Sequence, residues 1–390
     1  MTPTKILLTG ATGFIGTRLC ERLKLLHALP FRALVRSYTR ANRIARLDAE
    51  MVGGDLMKPD SIRAALAGCD AVIHMAHGND ETAAKETGNL LEVCAQARVK
   101  RFVHLSSMSV HGPTPGPECA REDTAVIGRY GSSYSDAKAA TEELVQRALT
   151  RGDLPGVILR PTIVYGPYSG FVLAPIKAAG TGELSLIDDG NGKCNAVFVD
   201  DVCSAMHAAL TTESGLGKPY FINADAAVPW REFNLTFARM ANPDVRVTNF
   251  ASPEVIAHWA ALRPTLKSNL KAAVKLAASP EFHKVLGKVP MFKSAITWTK
   301  ETLKKRLAPE KVVSLKRSAG TGGGPASAPV NWPDEGRIRR EAFQIEFSNA
   351  SAKAILGWKP AFNFQQGAAV TRLWLEFAEL VPAAAPQPGT

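Results

Sequence analysis

A short apolar run, Lys5-Ile6-Leu7-Leu8, leads into Thr9-Gly10-Ala11-Thr12-Gly13-Phe14-Ile15-Gly16, and this junction constrains the 390-residue chain most. The apolar run predicts a buried strand. Beyond it, Ile15, Leu19, Leu23 and Leu26 recur at helical spacing, so a helix opens near Phe14. Glycines between a strand and a helix allow a tight turn and a close backbone approach. The helix N-terminus then offers free N–H groups and the positive end of its dipole. That arrangement suits the pyrophosphate of a dinucleotide. The spacing is G-x-x-G-x-x-G rather than the commoner G-x-G-x-x-G.

The rest of residues 1–165 repeats the alternation. Arg32–Val35, Met51-Val52, Ala71–Ala76, Arg101–Leu105 and Val157–Leu159 read as strands, with helical segments such as Asn89–Ala97 between them. Strands alternating with helices imply a parallel, doubly wound sheet, with ligands bound beyond the carboxyl ends of the strands. After Gly166 the pattern loosens. Ala196–Val199 reads as a strand leading into a helix over Val202–Leu210, and Tyr220–Asn223 as another strand. The predicted class is α/β: a Rossmann-type doubly wound parallel sheet over 1–165, to which 195–225 return. A smaller C-terminal substrate domain takes 166–194 and 226–380 and contains a basic helical insertion over 250–317. A linker is expected over 318–330, where SAGTGGGPASAP is flexible by composition, and a disordered tail over 381–390.

Tyr134 and Lys138 stand four apart, on one face of a helix. A free phenol titrates near ~10 and is a poor acid or base at neutral pH. A neighbouring ammonium is expected to lower that value and let the tyrosine exchange a proton with a carbonyl or an alcohol. Ser106-Ser107-Met108-Ser109 follows the predicted strand 101–105, where a hydroxyl can hold the reacting oxygen.

With these residues the chain resembles the extended short-chain dehydrogenase/reductases, the group of NAD(P)-dependent nucleotide-sugar epimerases and 3β-hydroxysteroid dehydrogenases. The matching pieces come in family order: Gly10/Gly13/Gly16, Asp55-Leu56, His74-Met75-Ala76, Ser106-Ser107 and Tyr134/Lys138. They continue with Arg160–Pro167, Phe198–Val202 and Leu356-Gly357-Trp358-Lys359-Pro360. The resemblance implies that Ser107 holds the substrate oxygen, Tyr134 is the general acid/base, and Lys138 lowers the tyrosine pKa and binds the nicotinamide ribose. It implies cofactor contacts at Gly10, Thr12, Gly13, Phe14, Ile15, Gly16, Asp55, Leu56, Met75, Ala76, Tyr134, Lys138 and Pro161. Ser109, Lys193 and Asn195 are the candidate substrate-binding residues, and no metal is expected.

The sequence departs from the family pattern in informative places. The predicted second strand ends Leu34-Val35-Arg36-Ser37, with a base where NAD-preferring members carry an acid. Arg36 suits a 2′-phosphate, so NADP is the expected cofactor, with NAD the alternative. The family's relay asparagine falls near Ala83. Lys193-Cys194-Asn195 replaces an Arg-Asp pair, where Lys193 can meet a phosphate only as a point charge. Met108 replaces the acid pair of sugar dehydratases, so dehydration is not expected. His111 stands where a tyrosine is usual and receives no role.

Composition narrows the setting. No stretch of ~20 apolar residues occurs, and the N-terminus runs straight into a strand, which argues against secretion. The six cysteines are scattered, as in a reduced, cytoplasmic chain. Between Arg263 and Arg317 stand fourteen Lys or Arg against three acids, which accounts for the whole net charge of +11. Lys267, Lys271 and Lys275 repeat every four residues beside Leu266, Leu270 and Val274, an amphipathic pattern. It fits either a lysine-coated packed helix or one lying on an anionic membrane surface, which makes a peripheral location an alternative. No nucleic-acid motif accompanies the charge. A small-molecule substrate and a homodimer are expected. Three functions stay open: an epimerase acting on a sugar-nucleotide or lipid-linked sugar, an NADPH-dependent ketone reductase or hydroxysteroid-type dehydrogenase, and a non-catalytic NAD(P)-binding sensor.

Overall fold

The computed structural model describes residues 3–262 and 332–383. The expectations for the basic stretch 263–317 and the linker 318–330, and for residues 384–390 of the tail, fall outside the described residues. The chain divides into two compact units, one of residues 1–252 with 333–390 and one of 253–332.

The first unit opens with β1 (Ile6–Thr9), α1 (Phe14–Leu25), β2 (Phe31–Val35), α2 (Asn42–Ala45), β3 (Glu50–Gly53) and α3 (Pro59–Leu66). There follow β4 (Ala71–His74), α4 (Ala83–Gln96), β5 (Arg101–Leu105), α5 (Ser133–Thr150) and β6 (Gly156–Pro161). The pattern then shortens: β7 (Ile163–Tyr165), α6 (Gly170–Gly180), β8 (Glu183–Ile187), β9 (Lys193–Cys194), β10 (Ala196–Phe198) and α7 (Val199–Thr211). Next come β11 (Pro219–Ile222), β12 (Val228–Pro229), α8 (Trp230–Ala241) and β13 (Arg246–Phe250), with α9 (Ser252–Leu262) running into the second unit. After the undescribed stretch come α10 (Glu335–Glu341), α11 (Ala350–Leu356) and α12 (Phe364–Phe377).

Seven strands form one sheet in the order β11-β6-β5-β4-β1-β2-β3, every pairing parallel. Helices cover both faces, so β1, β4, β5 and β6 are buried throughout. Each fully buried Val, Leu or Ile contributes about 1.5–3 kcal/mol of transfer free energy. Leu26, read from its spacing as the end of the apolar row in α1, instead caps that helix and is exposed, because α1 ends at Leu25.

The strand order turns back between β1 and β4, the switch point where such sheets bind ligands. Buried polar bonds fix it. Thr9 Oγ1 lies 2.7 Å from His74 Nδ1, and His74 Nε2 lies 3.0 Å from Thr87 Oγ1 on α4. Burial holds His74 neutral, with its pKa lowered to about 3.

The paired acids after β10 hold distant segments. Asp200 accepts both Arg18 Nε at 2.6 Å and Arg18 Nη2 at 2.8 Å, tying α7 to α1. Asp201 accepts the N–H of Ala361 at 2.7 Å and of Phe362 at 3.2 Å. The Trp358 indole N–H reaches back to the Asp201 carbonyl at 3.1 Å. Two of the motif pieces quoted from the sequence are therefore partners in packing.

Candidate active site

The glycine turn is shaped by close contacts. Gly10 has φ +76°, and a Cβ there would lie 2.7 Å from the Ala76 nitrogen. A Cβ at Gly16 would lie 2.2 Å from the Gly10 carbonyl oxygen, so α1 closes onto the turn only because that residue is glycine. Gly13 provides no side-chain cap to α1, and the first turn holds no acid. The helix thus presents its N–H groups and positive dipole end to an outside anion, which fits a dinucleotide pyrophosphate.

A cavity of about 1030 Å³ opens beyond β4, β5 and β6. Phe14, Ile15, Met75, Ser107, Ser109, Tyr134, Lys138 and Pro161 all line it. Gly10, Thr12, Gly13, Gly16, Arg36, Asp55, Leu56 and Ala76 lie off this lining, around the carboxyl ends of β1 to β4. Asp55 already accepts the Met57 N–H at 2.9 Å, and Leu56 is buried. Arg36 is exposed. A methyl group built on Gly78 would meet the Arg36 guanidinium at 2.9 Å, so this side chain folds across the turn between β4 and α4.

Ser107 lies two residues beyond β5 and accepts the Ser109 N–H at 3.1 Å, which fixes its oxygen at the mouth of a short turn. The Ser109 hydroxyl is buried without a hydrogen-bond partner among the described residues. Lys138 is buried on α5 and donates to the Leu105 carbonyl at 3.2 Å. Burial lowers its pKa to about 8, and the Glu142 carboxylate one turn further opposes that shift. Tyr134 behaves differently from the expectation that its phenol is pulled down. Although the residue is 44% exposed, desolvation of its phenol raises its pKa, a hydrogen bond with Ser107 acts against this, and Asp80 adds a smaller upward push. Desolvation outweighs the Ser107 hydrogen bond, so the phenol stays protonated.

Two of the expected substrate contacts lie elsewhere. Asn195 is buried with its amide already committed. It donates to the Ile345 carbonyl at 2.8 Å and accepts the Phe347 N–H at 3.0 Å. Lys193 pairs with Glu346 at 2.8 Å. Both pin the strand-like segment before α11 and neither lines the cavity.

The structure adds residues that the sequence reading passed over. His77 lines the cavity and meets the Tyr134 ring edge-on, with centroids 4.9 Å apart and planes at 76°. Its Nε2 lies 2.7 Å from Asp80. Beneath the site, Ser106 donates to Glu142, which also takes Arg160 Nε at 2.9 Å in a fully buried cluster. Each member neighbours a predicted site residue: Ser106 beside Ser107, Arg160 beside Pro161, and Glu142 one helical turn from Lys138. That adjacency was a signal in the sequence. The far wall carried none. It combines Phe171 and Ala174 of α6 with Glu335, Arg339 and Arg340 of α10 and Phe343.

Comparison with known proteins agrees with this architecture. A model described as the NAD dependent epimerase/dehydratase family matches residues 6–224. The chain is 27% identical over 257 residues to a 2-alkyl-3-oxoalkanoate reductase of Shewanella oneidensis; the match covers 60% of this chain and 63% of that protein, under two thirds of its length. It is 28% identical over 286 residues to the 4-hydroxy-2-methyl-3-oxo-4-farnesyl-3,4-dihydroquinoline-1-oxide ketoreductase of Stigmatella aurantiaca, covering 69% of this chain and 85% of that protein. The crystal structure of the UDP-glucose 4-epimerase of Thermus thermophilus in complex with NAD aligns with a TM-score of 0.62 at 20% identity, over 96% of this chain and 99% of that chain. At that identity the likeness is one of fold.

Proposed function

The chain belongs to the NAD-dependent epimerase/dehydratase family, and on that footing we propose that it reduces a ketone, or oxidises the matching carbinol, on a mainly apolar small molecule. One observation carries the reading. Ser107, Tyr134 and Lys138 share a cavity whose lining includes the apolar Met108, Pro113, Phe171, Ala174 and Phe343. The two reductases named above act, by their names, on ketones with apolar substituents, which supports this reading.

The glycine turn and α1 would hold a dinucleotide pyrophosphate, with Asp55 and Leu56 toward the adenine and Met75, Ala76, Lys138 and Pro161 toward the nicotinamide. Arg36 favours the 2′-phosphate of NADP(H) over the bare ribose of NAD. Such a cofactor supplies or accepts hydride at C4 of its nicotinamide. The chain's own residues manage the proton. Ser107 orients the substrate oxygen, and its own oxygen is steadied by the Ser109 N–H. Tyr134, kept protonated by burial, gives its phenolic proton to that oxygen as the carbonyl is reduced. Lys138 keeps a positive charge nearby that stabilises the phenolate left behind.

A second reading, epimerisation of a sugar nucleotide, is favoured by Arg339 and Arg340 on the cavity wall, where they suit a diphosphate. The test is turnover of a 2-alkyl-3-oxoalkanoate with NADPH, beside UDP-glucose with bound NAD. Reduction of the oxo acid that falls about 100- to 10,000-fold in Tyr134→Phe is the expected result. Full turnover by Tyr134→Phe overturns the assignment of the acid, and activity on UDP-glucose alone selects the second reading.

A further inference from the structure

Behind Phe171 lies a second, smaller cavity of about 190 Å³. It shares Phe171, Ala174 and Arg340 with the larger one. We propose that this annex is a binding site for a carboxylate carried by the far end of the substrate, held by Trp230, Asn234 and Arg340. The inference rests on the reading of the larger cavity as the substrate site.

Three donors carry the argument. Trp230 Nε1, Asn234 Nδ2 and Arg340 Nε are buried and meet no acceptor among the described residues. All three residues line the annex. A buried donor left unpaired is costly, so three on one small cavity call for a common partner.

Several acceptors of the same wall are engaged by Arg337. Its guanidinium holds Glu341 at 2.8 and 2.9 Å and Ser185 Oγ at 2.8 Å, while its N–H reaches Asp334 Oδ1 at 3.0 Å. Arg340 pairs with Glu341 through Nη2 at 3.4 Å, which leaves its Nε without an acceptor among the described residues. Three unpaired donors on one small cavity suit a group that accepts several hydrogen bonds. An ionised carboxylate accepts through two oxygens and brings no hydrogen of its own. Arg340 adds a charge-assisted bond. Its guanidinium lies 5.6 Å from the Phe171 ring centre and 5.9 Å from that of Trp230, on the partition between the two cavities. The substrate is therefore a ketone or carbinol with an apolar body and an acid remote from the reacting carbon.

The test needs neither cofactor nor turnover, so its outcome is separate from that of Tyr134→Phe. The indole N–H resonances of the six tryptophans are followed by 15N NMR of the whole chain, with Trp230 assigned by Trp230→Phe. Hexanoate and hexan-1-ol are the probes, titrated into the tens of millimolar. Hexanoate is expected to shift the Trp230 resonance downfield and saturably, and hexan-1-ol is not. Asn234→Asp, which places a carboxylate in the annex from within, is expected to shift the same resonance and abolish the hexanoate response. It also serves as the assignment should Trp230→Phe fail to fold. No saturable shift with hexanoate, or an equal shift with hexan-1-ol, overturns the proposal and leaves the annex to water.

Discussion

The cavity's strand-end wall and its α10 wall treat polar atoms in opposite ways. On the first, Ser107 takes the Ser109 N–H, Lys138 gives to the Leu105 carbonyl, and buried Glu142 joins Ser106 to Arg160. The Ser109 hydroxyl and Arg160 Nη1 are buried and unpaired there among the described residues. On the second, Arg340, with Trp230 and Asn234 behind it, leaves buried donors without acceptors. The wall proposed to carry the chemistry holds its serine and lysine in existing bonds, because a proton donor works only when its geometry and charge are set beforehand. The wall that meets the variable part of a substrate leaves bonds for the ligand to make.

The contrast between the walls is most exposed to test at its most buried point. Glu142→Gln removes the partner of a fully buried arginine, and an uncompensated charge of that kind costs about 3–5 kcal/mol. A fall in melting temperature measures it. The same variant carries a pH signature. Lys138 loses its proton on passing about pH 8, so kcat/KM is expected to fall on the alkaline side near there. Glu142 opposes that lowering, so its loss should move the limb to lower pH. The linked stability term has the matching sign: Lys138 titrates lower folded than unfolded, so stability rises with pH above about 8. An equal displacement of the limb by Arg339→Gln would erase the difference between the walls.

A smaller effect is expected at His77, which lies against the Tyr134 ring. His77→Ala should lower kcat about 10- to 100-fold with little change in KM, since a displaced acid loses rate rather than affinity. His77→Phe, which keeps a ring in place, should restore most of it. No change in either would show that the strand-end wall positions Tyr134 without this contact. The smallest change is expected at exposed Arg36. Arg36→Glu should weaken NADPH binding about tenfold relative to NADH, measured as the ratio of their Kd values.

Legibility in the sequence followed chain distance. The strands β1 to β6 and the turn from Thr9 to Gly16 could be read because each is encoded by neighbours. That Tyr134 and Lys138 share one face of α5 and one cavity follows from their spacing, because four residues make about one helical turn. Lys193 and Asn195 misled because a polar motif beside an active-site strand looks the same whether it faces substrate or pins a distant loop. Asn195 does the latter, through Ile345 and Phe347. The direction of the Tyr134 shift was equally hidden, since a spacing reveals the cation but not how much water the phenol loses.

The dinucleotide end of this protein is written in the order of its residues. Gly10 and Gly16 are required by backbone contacts closer than any Cβ allows, and a requirement that strict leaves its mark in the residue type. The substrate end exists only in the folded chain. Phe171, Trp230 and Arg340 come from elements far apart in the chain and have no spacing in common. Only packing α10 against α6 and α8 brings their rings and unpaired donors to one cavity, because contact between distant segments is fixed by how their faces fit.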